Sequence, residues 1–271
     1  MLSRILACMR CPVCLGSGLQ SETGGVRCPS CGKMHPIREG ILDMLGDDPD
    51  EVITPFQRLM QTPAVASVYE RIWRRIGYFM ASFRSFEEEM RTVLRMGEGQ
   101  GAEKVLDLAC GTGIFTRPLA RRGFETVVGL DLSWPMLKQA RRLMSRDGIR
   151  NMLLVRATAF SLPFADASFD YVNCCGALHL FDRPDRALEE IGRVLAPEGL
   201  LCVQTTIRPA RSAGMVFLLE RFIRFGFFTE EKLVEMLASR GFGIVQSERH
   251  RISYTFAAKH VGRGEARPRP A

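Results

Sequence analysis

Four cysteines near the start of the chain are the first residues whose spacing implies chemistry. Cys11 and Cys14 form one Cys-Pro-x-Cys step and Cys28 and Cys31 a second, with thirteen residues between them, four of these glycine. Each step lets two thiolates reach one ion from a tight turn, and two such turns close a tetrahedron of the kind that structural zinc takes. Sulfur fills all four positions and leaves no site for an activated water, so the expected unit is a zinc ribbon with a structural ion. Cys8 stands three residues before Cys11 and either competes as a ligand or serves as a small core residue.

A second group lies in VLDLACGTGIFTRPLA, Val105 to Ala120, where a short apolar strand runs through small residues and two glycines before a helix begins. At Gly111 and Gly113 a missing side chain lets a ligand approach the backbone, and the N–H groups of a helix start favour negative charge. Asp131 closes the next strand, 24 positions after Asp107. A carboxylate there accepts both hydroxyls of a ribose. Bend and acid together predict a nucleoside. A dinucleotide would ask for a third small residue after the bend, where Ile114, Phe115 and Thr116 stand instead. An amino-acid tail at the bend, with adenosine leaning toward Asp131, suits these residues better.

From about Lys104 to Thr206 the chain resembles the class I methyltransferases that use S-adenosylmethionine. VLDLACGTG, VVGLDLS, LPFADASFDYV and ALEEIGRVLAPEGLL match that family's successive motifs in order and spacing. The resemblance implies a cofactor-binding set of Asp107, Ala109, Gly111, Gly113, Asp131, Leu132, Met136, Thr158 and Ala159. Asp107 and the two glycines would surround the methionine end, Asp131 would hold the ribose, and Ser133 and Met136 would flank the adenine. Two positions depart from the family's pattern. Ala109 stands where the motif has its first glycine, and Thr158 replaces the acid that meets the adenine amino group, leaving a hydroxyl and the backbone of Ala159 for that contact. The union of ribbon and methyltransferase resembles two groups, bacterial ribosomal-RNA guanine methyltransferases and a plant chloroplast and cyanobacterial group. TPFQRLMQTPAVASVYERIWRR and GALHLFDRPDRALEEIGRVL favour the second. The ribbon's end, HPIREGILDML, is also similar to a small zinc-ribbon family that activates separate methyltransferases as a bound partner.

Methyl transfer is an in-line displacement, helped by a base when the acceptor must lose a proton. His179, just after the fourth strand, is the candidate general base, competing with a role in shaping the pocket; Asp182 either orients it or begins the next helix. Tyr69, Trp73 and Tyr78 precede the sheet and serve as a lid over the cofactor or as core packing. The apolar segment Met215 to Phe228, with Arg221 and Arg224, lines an acceptor pocket, touches a membrane surface or is simply buried. Cys110, Cys174, Cys175 and Cys202 read as core thiols.

These residues need elements to hold them. Strands KVLDLAC, TVVGLDL, MLLVRAT, FDYVNCC and GLLCVQTT alternate with helices that start near Phe115 and Pro135 and over DRALEEIGRVL, which predicts a parallel sheet covered on both faces. A helix opened by Thr229 and strands around GIVQSE and RISYTFAA close the chain. The expected fold is α/β, a Rossmann-like sheet preceded by the ribbon. The expected divisions are residues 1–46 for the ribbon, 47–98 for an acidic, proline-bearing linker and helical lid, 99–258 for the methyltransferase domain and 259–271 for a disordered basic tail.

At 271 residues and 46% hydrophobic content the chain can bury a substantial core. No apolar run reaches the roughly 18 residues of a membrane span, and the opening MLSRILACMR is short for a secretory signal, so we expect a cytoplasmic protein. Of the formal net charge of +7, the tail carries a sizeable part through Lys259, Arg263, Arg267 and Arg269 against Glu265. The expected acceptor is small and apolar or lipid-like, with S-adenosylmethionine and structural zinc as cofactors. An RNA base methyltransferase is the rival. The ribbon is only mildly basic, and NCCG (Asn173 to Gly176) stands where enzymes acting on exocyclic base amines often carry NPPY. A non-catalytic partner of another methyltransferase is the third reading. The sequence does not fix the oligomeric state.

Overall fold

Strand β5 (Lys104–Leu108) runs through the centre of the molecule because Val105, Leu106 and Leu108 offer apolar side chains to both faces; all three are fully buried. β6 (Thr126–Asp131) and β8 (Phe169–Cys175) flank it in parallel, with Asp107 level with Gly129 on one side and Asn173 on the other. β7 (Met152–Arg156) extends the sheet beyond β6, and β9 (Leu195–Thr206) extends it beyond β8. β11 (Ser253–His260) and β10 (Phe242–His250) then close that edge as an antiparallel pair. The order β7-β6-β5-β8-β9-β11-β10 is the expected parallel sheet with an antiparallel finish. The structure, a computed structural model, describes residues 2–45, 58, 62–68, 70, 74–97, 103–209 and 226–260. The expected linker, Tyr69, Trp73, most of the Met215 to Phe228 segment with Arg221 and Arg224, and the tail from residue 261 fall outside them.

Helices cover both faces, as near-continuous apolar strands require. One face buries Val93 and Met96 of α4 (Phe86–Met96), Leu119 of α5 (Thr116–Ala120) and Leu137 and Ala140 of α6 (Trp134–Arg146). The other buries Leu188 and Ile191 of α7 (Pro184–Val194) and Leu233 and Leu237 of α8 (Glu230–Ala238). Side-chain caps set several starts: Ser133 accepts from the Met136 N–H, and Thr229 accepts from the Lys232 N–H, as expected for a residue that opens a helix.

Strand pairing joins the ends of the described chain to the central sheet. The ribbon begins with α1 (Leu2–Leu6) and carries the antiparallel strands β1 (Gln20–Glu22), β2 (Gly25–Arg27) and β3 (Met34–Arg38). Its last strand, β4 (Ile41–Asp43), pairs with β3 on one side and in parallel with β7 on the other. The ribbon is therefore an extension of the central sheet, and Ile5, Met9, Cys11, Val26 and Cys28 share one buried cluster with Leu106, Val128 and Phe164. At the other end, Lys259 and His260 belong to β11, opposite Leu200 and against the Gly192 carbonyl at 3.1 Å, so order extends past the expected start of the tail.

Candidate functional site

β5 ends in the bend Ala109-Cys110-Gly111-Thr112-Gly113. Ala109, Gly111 and Gly113 all take left-handed backbone, with φ of 55°, 56° and 76°. The two glycines need it for different reasons. A Cβ on Gly113 would stand 3.3 Å from Met152 and 3.5 Å from Ala140, so its small size serves packing of the helices on the sheet. A Cβ on Gly111 would meet nothing within 4 Å and project into open space. Asp131 accepts hydrogen bonds from the Gly111 N–H and the Ser133 N–H, each at 2.8 Å, and so joins the bend to the start of α6. A carboxylate has about four lone-pair directions, so two bonds leave capacity for more.

The residues named from sequence divide by exposure. Ala109, Gly111, Asp131, Leu132 and Thr158 are half-buried at the carboxyl ends of β5, β6 and β7. Met136 and Ala159 are buried. Asp107 is set apart: it is 1% exposed, and its carboxylate accepts from the Thr116 hydroxyl and from Asn173 Nδ2 at 2.6 Å. Asp107 thus braces the bend from behind, tying β5 to α5 and β8. Thr158 accepts from the Phe160 N–H at 3.2 Å, which holds the turn after β7.

Ala109 holds its left-handed backbone at a cost of roughly 1 kcal/mol. Ala109→Gly removes that strain but frees the unfolded chain. We expect a net rise in melting temperature of about 1–3 °C, measured by thermal unfolding followed by circular dichroism.

One contact escapes sequence reading. Glu70 accepts from the Thr112 hydroxyl at 2.7 Å and pairs with Arg117 Nη2 at 2.6 Å, while Arg117 Nη1 donates to Asp147 at 2.8 Å. Arg117 is 7% exposed, so burial would lower its affinity for a proton; Glu70 and Asp147 more than reverse that and hold the guanidinium charged. Glu70 is thereby tied to the glycine bend. Beside it, α2 (Pro63–Val68) sets Ala66 against Met136. Tyr78, in α3 (Arg74–Ser82), lies in the core: it is 6% exposed, stacks edge-on against Phe86 and donates to Gln204 Oε1 at 3.0 Å. No sequence signal marks Glu70, because one acid in a charged helical stretch looks like any solvated face. Glu70→Ala should cost about 2 kcal/mol in urea unfolding, since it removes a charged acceptor from a nearly buried guanidinium.

The cysteines gather as expected. The sulfurs of Cys11, Cys14, Cys28 and Cys31 all lie within 4.8 Å of one another, with Cys11 to Cys31 at 3.7 Å and Cys14 to Cys28 at 3.5 Å. Sulfurs about 2.3 Å from a tetrahedral ion sit at such separations, so the donor set fits zinc. His35, 2% exposed, brings Nε2 within 3.4 Å of Cys11 Sγ. At Cys28, burial pushes the thiol up, but the N–H groups of Cys31 and Ser30 and the Cys14 thiol outweigh it and bring it down to about 7. Cys8 is outside the group and donates to the Ile5 carbonyl. Cys110, Cys174, Cys175 and Cys202 are buried and unbridged.

A family model described as Methyltransferase domain matches residues 106–203. A demethylmenaquinone methyltransferase of Thermus thermophilus is 34% identical over 185 residues, which cover 59% of this chain and 82% of that protein. The chain belongs to the class I S-adenosylmethionine-dependent methyltransferases. An uncharacterized chloroplastic methyltransferase of Arabidopsis thaliana is 31% identical over 225 residues. That match covers 76% of this chain and spans 64% of the plant protein's length. A crystal structure of an S-adenosylmethionine-dependent methyltransferase from Aquifex aeolicus superimposes with a TM-score of 0.58 at 19% identity, covering 74% of this chain and 99% of that one, and bears on the fold alone.

In a methyltransferase the opening at Gly111 and Asp131 is where the family's cofactor is expected, and the residues present fit it. The bend offers room where a side chain would intrude, and the neighbouring strand offers an acid. His179 lies in a short turn, Leu178–Leu180, just after β8. It is 7% exposed, with Nδ1 3.3 Å from the Thr205 hydroxyl of β9. The Gly226 N–H donates to its carbonyl at 3.0 Å, so the chain beyond β9 returns to this turn. Asp182 follows on the approach to α7, which starts at Pro184.

Proposed function

We propose that this methyltransferase moves a methyl group from S-adenosylmethionine to a small apolar acceptor of quinone-like chemistry. The observation that carries the cofactor half is the hydrogen bond from the Gly111 N–H to Asp131, which sets a side-chain-free bend and a ribose-binding acid at one opening. Support for the acceptor half is the identity of 34% with a protein named demethylmenaquinone methyltransferase, over 82% of its length. When bound, S-adenosylmethionine supplies an electrophilic methyl carbon on a sulfonium.

The chain's own residues do the rest. Asp131 takes the ribose hydroxyls on the lone pairs its backbone contacts leave, and Gly111 lets the amino-acid tail approach the main chain. Leu132, Met136, Thr158 and Ala159 wall the adenine. Asp107, at the methionine end, braces the bend through Thr116 and Asn173. His179 is the group that accepts the acceptor's proton, with the Thr205 contact fixing its ring. Cys11, Cys14, Cys28 and Cys31 hold a structural zinc, a role suited to four thiolates with no open coordination position.

The test incubates the protein with methyl-labelled cofactor and fractionated host extract. Label should enter the lipid-soluble fraction, and label in RNA would overturn the acceptor assignment. Once an acceptor is in hand, His179→Ala should lower kcat by about 10²–10⁴-fold and leave cofactor affinity unchanged by calorimetry.

A further inference from the structure

The ribbon touches the opening from two sides. At the end of β7, Arg156 stands level with Asp43 of β4 and with Asp131 of β6, so one row of residues crosses from ribbon to ribose-binding acid. Its guanidinium pairs with Asp43 at 3.3 Å and donates through Nε to the Leu132 carbonyl at 3.1 Å, one residue past Asp131. The Met44 N–H returns a bond to the Arg156 carbonyl at 2.8 Å. On the second side, the Arg10 N–H donates to the Pro163 carbonyl at 3.1 Å, and the Ala165 N–H donates to Cys8 at 2.7 Å. Both contacts lie within three residues of Cys11, and they fix the loop that follows Thr158 and Ala159. Glu190 reinforces it, accepting from the Leu162 N–H at 2.7 Å while facing the Arg10 guanidinium at 3.9 Å.

Resting on the cofactor reading above, we propose that Arg156 is a positioning residue through which the ribbon sets the adenine end of the slot. The cysteine cluster fixes the ribbon's turns, and those turns fix both the Leu132 side and the Leu162 side of the opening. The ribbon then determines how well the slot selects adenine, in addition to any effect on stability. Arg156 suits the task because a guanidinium presents several donors in a fixed fork and can meet a carboxylate and a carbonyl together. A lysine in its place has a single nitrogen, so it keeps the charge pair but not the paired geometry.

The experiment uses the full chain with its metal content measured. Calorimetry compares S-adenosylhomocysteine with S-inosylhomocysteine, in which a carbonyl replaces the exocyclic amine and ring N1 carries a proton, so the donor and acceptor on that edge are exchanged. The wild-type protein should prefer the adenine form. Asp43→Asn and Arg156→Met should weaken S-adenosylhomocysteine about tenfold while barely altering the inosine form, and Arg156→Lys should recover part of the loss. Metal stripped by a chelator and then restored should reproduce that loss and its reversal, with faster amide exchange at Leu132 and across residues 162–165 in the stripped state. Wild-type affinity and base preference in both variants, or in the stripped protein, would overturn the coupling alone. Failure of the wild-type protein to bind either compound would overturn the slot reading and the coupling with it.

Discussion

Asp131→Ala is expected to weaken S-adenosylhomocysteine binding by about a hundredfold or more. Hydrogen bonds to a charged acceptor contribute about 1.5–3 kcal/mol each, two ribose hydroxyls are at stake, and about 1.4 kcal/mol corresponds to tenfold in affinity. Calorimetry reads the loss, and an unchanged circular dichroism spectrum separates it from unfolding, since Asp131 is half-buried at a strand end. Unaltered affinity in this variant would sink the ribose assignment. Acid should imitate the mutation. Burial pushes the Asp131 carboxyl above its usual value, and the N–H groups of Ser133 and Gly111 only partly oppose it. The ionised form binds, so affinity should fall with decreasing pH at values above the ordinary aspartate range of about 3.9. The linkage sign separates this from acid unfolding. A group whose folded pKa is raised takes its proton more readily in the folded chain, so its contribution favours folding as pH falls.

The second large effect belongs to the cysteines. Cys11→Ser and Cys28→Ser, which break the proposed zinc site, should each cost about 3–5 kcal/mol of folding free energy, as loss of a partner from a buried charged cluster does, and leave the chain folded at low temperature. At about 2–4 °C per kcal/mol for a chain of this size, the melting temperature should drop by about 10 °C. The shape of the transition matters as much as its position. Cys11 and Cys28 are fully buried in the cluster that holds Leu106 and Val128 of the central strands, and β4 pairs directly with β7. Scanning calorimetry should therefore show one shifted transition. Two separate transitions, with the methyltransferase body melting at its original temperature, would show that the ribbon is thermodynamically independent.

The parts of this architecture visible in the sequence are those whose signal is local. A glycine bend at the end of an apolar strand, an acid closing the next strand and two Cys-x-x-Cys steps each lie within a few residues; Asp131 bonds to the Gly111 N–H, and the four sulfurs lie within 4.8 Å of one another. The parts that were not visible depend on distant pairing. Ile41–Asp43 is too short to show periodicity and reads as the end of the ribbon, because nothing in three residues reveals a parallel partner in β7. Glu70 and Arg156 look like ordinary surface charges until the fold brings Thr112, Arg117, Asp43 and Leu132 to them. Asp107 and Asp131 illustrate the same limit. Both are strand acids beside the bend, yet one is enclosed in packed protein and the other is half-buried at a strand end, and only the sheet shows which is which.

The pairing of β4 with β7 also imposes an order on how the chain can assemble during synthesis. Asp43 and Arg156 are 113 residues apart in sequence. All four cysteines have been made long before β7 exists, so the thiolate cluster can form early, while its outermost strand waits, unpaired on one edge, for most of the cofactor-binding half to emerge. Contacts of such separation form late and slowly, and an exposed edge invites pairing with another chain. Translation pauses or truncations before Arg156 should thus yield a nascent protein that forms the thiolate cluster yet tends to aggregate.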